Sequence, residues 1–128
     1  MFSPSHIMTN KEFNEGFRLR TRAFAAKIFQ FLEKLPSSIS SRNIGYQLSR
    51  SASSVGANFR AFCRGRSGKE RFSKICIVME EADESEYWLQ ILQDLESGNQ
   101  NELKLLLKEI DEIIRIVSTI KQKFKPEM

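Results

Sequence analysis

A chain of 128 residues that is 41% hydrophobic and 28% charged can fold as one domain around a core without disulfides or metal. No run of about 18 consecutive apolar residues occurs, which excludes a membrane-spanning helix. The net charge of +4 is modest but unevenly spread: residues 42–74 hold eight Lys or Arg and one acid, and residues 75–102 hold eight acids and no Lys or Arg.

Phe2 to Met8 has no basic start and no continuous apolar run, so a secretory leader is not expected and the cytoplasm is the default compartment. Residues 1–8 read as a flexible tail. Thr9-Asn-Lys-Glu12 has capping-box spacing and opens the first helix. Phe13, Phe17, Phe24, Ile28, Phe31, Leu32 and Leu35 then fall within about 100° of one face. Leu35-Pro36 ends that helix, because the residue before proline is pushed out of the helical region. A Ser-rich turn, Ser37 to Ser41, follows.

The second helix is expected from about Arg42 to Arg64, with an apolar stripe of Ile44, Leu48, Ala52, Val55, Phe59 and Phe62. Gly65 and Gly68 flank a short turn. Ser67-Gly-Lys-Glu70 repeats the capping-box spacing and starts a third helix that runs to about Glu96. Ser97-Gly98 stops it. Asn99-Gln-Asn-Glu102 opens the fourth, whose stripe is Leu103, Leu106, Leu107, Ile110, Ile113, Ile114, Val117, Ile120 and Phe124. Residues 125–128 read as a second flexible tail. Nothing alternates as a strand would. The expected fold is all-α: one domain over residues 9–124, an antiparallel up-down-up-down four-helix bundle.

On the second helix Arg42, Arg50, Arg60 and Arg64 project within about 80° of each other, far from the apolar stripe. Such a face is solvated, meets another subunit, or neutralises phosphates. One aromatic on it, Tyr46, is too few for a base-stacking platform. Gly45, Ser49, Ala52 and Gly56 form a narrow small-residue edge. Glycine in a helix costs up to about 1 kcal/mol relative to Ala, so two of them point to the close approach of another helix.

The third helix carries an expected core stripe of Phe72, Ile75, Met79, Ala82 and Leu89. A second set, Ile77, Glu81, Glu84, Trp88, Ile91 and Leu95, sits roughly opposite with the alternating four-three spacing of a helix-packing seam. One bundle buries one stripe per helix, so a second stripe points to self-association. Glu81 and Glu84 on a buried seam need cations. Arg50 or Arg60 is the expected supplier.

The acid cluster around Glu80 and Glu84 invites a metal or acid–base reading. Bundle metal sites of this kind also use Glu-x-x-His, and the only histidine is His6 in the tail. Cys63 and Cys76 lack Cys-x-x-Cys spacing. No nucleophile with a convergent polar partner is visible. No metal, cofactor or catalysis is therefore expected.

Arg50-Ser-x-Ser-x-Val-Gly-Ala-Asn-Phe59, then Cys63-Arg-x-Arg-Ser67, then Glu81-Ala-Asp-Glu-Ser-Glu-Tyr-Trp-Leu89 together resemble the bacterial family of 23S ribosomal RNA intervening-sequence proteins. The likeness covers about residues 18 to 95. It implies a left-handed four-helix bundle assembling as a ring-like homopentamer. A related group of accessory proteins in diversity-generating retroelements shares the fold and binds nucleic acid through a basic surface. One departure stands out: Ala61-Phe62 replaces the family's usual Glu-Ala.

These observations set the expectations. The chain is a non-enzymatic homo-oligomer that engages RNA or DNA electrostatically, without base readout. Arg42, Arg60, Arg64, Arg66, Lys69 and Arg71 are the candidate phosphate contacts. Ile77, Glu81, Glu84, Trp88, Ile91 and Leu95 form the candidate interface between copies. Arg50 and Asn58 are structural, with the Asn58 amide tying helices together. The alternative is a protein-interaction scaffold whose basic helix meets acidic segments of itself or a partner.

Overall fold

The computed structural model describes residues 8–127. The tail expected over residues 1–8 therefore lies, apart from Met8, outside the described residues, as does Met128. Four helices and no strands make up the described chain: α1 (Asn10–Glu33), α2 (Ile39–Cys63), α3 (Gly68–Asp94) and α4 (Gln100–Phe124). Each packs on the next, and α4 returns to α1 with the thinnest contact of the four. None is long and apolar enough to cross a membrane.

Every helix starts on a side-chain cap. Thr9, Ser38, Ser67 and Asn99 each accept the backbone N–H three residues on, satisfying one of the donors a helix start leaves free. At Thr9 the full reciprocal box forms with Glu12. At Ser38 a serine does the work of the usual Glu: Ser41 Oγ accepts the Ser38 N–H at 2.9 Å. This moves the start of α2 back from Arg42 to Ile39. At Ser67 only half the expected box forms, because the Glu70 carboxylate accepts the Arg66 N–H instead.

The apolar stripes of α1, α2 and α4 supply the core, and every residue read into the α2 stripe is buried. Aromatic rings fill one end. Phe13 stacks on Phe17, Phe17 meets Phe59 edge-on, Phe59 stacks on Phe62, and Phe62 meets Phe124 edge-on. Phe62 thus reaches from α2 to α4 across the bundle. At the opposite end, Gly98 adopts φ +79, where an added Cβ would lie 2.6 Å from the Phe31 ring. Only glycine lets the α3–α4 turn sit down on the end of α1.

α3 departs from its expected stripe. Ile75, Val78, Ala82, Ser85, Leu89 and Leu92 are buried, and Phe72 and Met79 are only partly so. α3 packs heavily on both α2 and α4, which turns its buried face toward the α2 side. The second stripe therefore flanks the core, about 110° from its centre by helical geometry, rather than opposing it.

Candidate nucleic-acid interface

The turn between α2 and α3 gathers four of the six expected phosphate contacts. Arg60 and Arg64 close α2, and Arg66 and Lys69 follow; all four are exposed. Among the described residues, none has a carboxylate within 4 Å of its charged nitrogens. Arg71 differs. Its Nε donates to the Gly65 carbonyl at 3.1 Å, and its Cγ fills the space a Gly65 side chain would take. Arg71 closes the turn and is half-buried. Arg42 stands apart: it belongs to the start of α2, about 33 Å of helix from Arg64, and donates to Ser37 Oγ. The expected six thus divide into a group of four, one turn-closing residue and one at the far end.

α1 adds charges that the reading of α2 alone missed. A cleft between α1 and α2 is lined by Arg18, Arg22 and Arg60 over Ala25, Ser53, Gly56 and Ala57. A Cβ on Gly56 would lie 3.5 Å from the backbone of Thr21 and Arg22, in ordinary contact. The small-residue edge therefore brings the helices together at Gly56, as expected of it, while Gly45 has open space around it. The signal for the α1 charges was the Arg18-x-Arg20-x-Arg22 alternation, which puts its first and third members near one side of a helix.

Arg20 takes the other side. It grips Glu109 of α4 through both arms, at 2.8 and 2.7 Å, and reaches Glu112 at 3.2 Å. The hydrogen bond to Glu109 holds the guanidinium well above its ordinary pKa and the Glu109 carboxyl below its own. Further along the same seam Lys34 pairs with Glu102 at 2.8 Å.

The acid segment of α3 faces α2 in part. Arg50 pairs with Glu84 at 3.3 Å, one of the pairings expected from the sequence. The Trp88 indole N–H donates to the same carboxylate at 3.4 Å. Behind them Ser85 donates to Ser51 in the core. Glu81 has a buried Oε2 with no hydrogen-bond partner among the described residues. Ile77, Trp88 and Ile91 are partly buried and Leu95 is exposed. Asn58 does not tie helices together: its amide donates to the Ser54 carbonyl and hydroxyl on its own helix. Its reach, one turn back along α2, is satisfied locally before any neighbour competes.

On the α3–α4 side, burial and then the nearby Asp111 and Asp83 push the Glu86 carboxyl up. Burial also raises the Cys63 thiol. Among the described residues no three His, Cys, Asp or Glu gather as a metal site. The charge is sorted by half: residues 10–67 carry eleven Lys or Arg and three acids, and residues 68–124 carry eight and twelve.

The family described as 23S rRNA-intervening sequence protein matches residues 18–119, most of the chain and all of the sites above. The chain belongs to this family. A crystal structure of a protein of unknown function from the S23 ribosomal protein family of Bacteroides thetaiotaomicron is similar at 27% identity and TM-score 0.69. That likeness covers 81% of this chain and 96% of the other. No curated protein matches the sequence.

Proposed function

We propose that this family member is a non-enzymatic, antiparallel up-down-up-down bundle that self-associates and binds RNA or DNA through its basic end. The observation that carries the reading is the group Arg60, Arg64, Arg66 and Lys69, exposed together at one turn with no acid of the described residues paired to them. Arg18, Arg20, Lys34, Arg50 and Arg115, in contrast, each have a carboxylate. Cations left together without partners suit a polyanion. The family name makes 23S ribosomal RNA the first polyanion to test. Phe62, the one aromatic among these four in sequence, is buried in the core, so contact with the phosphate backbone is favoured over base stacking.

Two observations support self-association. Glu81 Oε2 is buried without a partner among the described residues, and an unpaired buried carboxylate oxygen is costly. Trp88 and Ile91 stay only partly covered beside it. A second copy covering this flank, with a pentameric ring as the family resemblance implies, would resolve both. Light scattering gives the mass. A monomer for wild type, or unchanged mass for Trp88→Ala, refutes this part.

The binding part is tested by gel shift with structured RNA and duplex DNA across salt. Neutralising four phosphates gives a log–log salt slope of about −3 to −4. Absence of binding at low salt sinks the reading and leaves the protein-interaction scaffold as its replacement.

A further inference from the structure

We infer that the cleft between α1 and α2 is a seat for one phosphate group of a nucleic-acid backbone, held between Arg22 and Arg60 and flanked by Arg18. This rests on the nucleic-acid reading and adds a defined site on α1 to it.

The cleft is built from both helices. Its floor is Ala25, Ser53, Gly56 and Ala57, so no long side chain fills the space between the guanidinium groups. The helices approach closely at Gly56, which narrows the floor and sets the arginines from α1 and α2 over one strip. Arg18 is steadied by Glu15 at 2.7 Å. Among the described residues, Arg22 and Arg60 have no carboxylate within 4 Å. Three guanidinium groups around one cleft repel each other, and an anion between them removes that repulsion. Planar donor forks suit phosphate oxygens bidentately. Among the described residues no aromatic lines the cleft, so it suits backbone and not a base. The site is continuous with Arg64, one turn beyond Arg60, which extends the path of the strand onto the α2–α3 turn.

The test uses the full chain and an R22Q/R60Q double variant, with R22K/R60K as the conservative pair. K104Q/K108Q removes the same charge from α4. Folding of each is checked by circular dichroism. Fluorescence anisotropy with a labelled RNA is measured across salt. Losing the one seated phosphate lowers the magnitude of the log–log slope by about 0.7–0.9, roughly 5–8-fold in affinity at 0.1 M salt. The lysine pair should keep the slope and lose part of the affinity, and the α4 control should match wild type. Arginine side-chain NMR signals of wild type should shift with a short oligonucleotide and with inorganic pyrophosphate.

An unchanged slope in R22Q/R60Q, with wild type still binding RNA, overturns this inference and leaves the basic turn as the contact. A pyrophosphate response with that unchanged slope assigns the cleft to a free phosphorylated compound and overturns the backbone placement. A change in oligomer mass in R22Q/R60Q without a change in slope assigns the cleft to acids of a second copy and also overturns it. No RNA or DNA binding by wild type removes the functional reading and the inference together.

Discussion

Arg20 and Arg22 are two residues apart on α1 and meet different surroundings. Arg20 turns to the α1–α4 seam, where Glu109 and Glu112 hold it on three hydrogen bonds. Arg22 turns to the α1–α2 cleft, where its neighbours are small residues and two more arginines. Residues two apart on a helix do not share a face. The first seam is loosely packed in backbone terms and laced with ion pairs across it; the second is closely packed and, among the described residues, leaves Arg22 and Arg60 without a carboxylate. The contrast separates charge that holds the bundle together from charge available to a ligand.

The largest effect should come from apolar contacts on the α1–α2 side. Phe59 is fully buried, edge-on to Phe17 at 4.8 Å and stacked on Phe62 at 5.4 Å. Phe59→Ala should destabilise by about 3–5 kcal/mol in urea unfolding. Arg60→Gln, the next residue but exposed, should change stability by less than about 0.5 kcal/mol. Similar losses for both would mean that the arginines, and not the rings, hold this seam.

The next effect tests the other seam. Arg20→Gln removes a two-armed pair whose side chains are 35% and 25% exposed, so solvent screening limits the loss to roughly 1 kcal/mol. Arg22→Gln should cost less than about 0.5 kcal/mol, because no ion pair is lost. Equal losses would break the comparison. The pH dependence follows from Glu109, the partner that titrates in an accessible range. Its folded pKa is lowered from an ordinary value of 4.5, chiefly by the Arg20 hydrogen bond. The folded state therefore favours the ionised form. The contribution is fully present above about pH 4.5 and is lost as pH falls through the lowered value. Glu109→Gln should flatten the acid limb of a stability-against-pH curve, and an unchanged limb would rule out Glu109 as its source.

Much of this was legible before any coordinates. Periodicity placed all four helices, and capping spacings found three of the four starts. The start of α2 was misread because the residue answering Ser38 is Ser41, whose short hydroxyl can fill the role of Glu in the box. The α3 stripe was misjudged because Val78, Ser85 and Leu92 become buried only when α2 and α4 both press on that helix. The Arg50–Glu84 pair was legible because both residues lie beside their stripes with opposite charge. The division between Arg20 and Arg22 was not. Identical side chains in one alternating run carry no label for which neighbour will bring acids, and that depends on α4 returning beside α1.

The smallest expected effect lies on the acid-rich half and has the opposite sign. Glu86 is partly buried beside Asp111 and Asp83, and desolvation followed by those charges raises its pKa above 4.5. The folded state then favours the neutral form. That contribution is fully present below the ordinary value and is lost as pH rises through the raised one, so at neutral pH the ionised carboxylate is a net burden. Glu86→Gln keeps the shape and removes the charge. It should stabilise the bundle by about 0.5 kcal/mol at pH 7 and by nothing near pH 3, where the native residue is already neutral. Thermal melts at both pH values read this out. A loss of stability at pH 7 would mean that a cation compensates Glu86, and the acid half would then be as well paired as the α1–α4 seam.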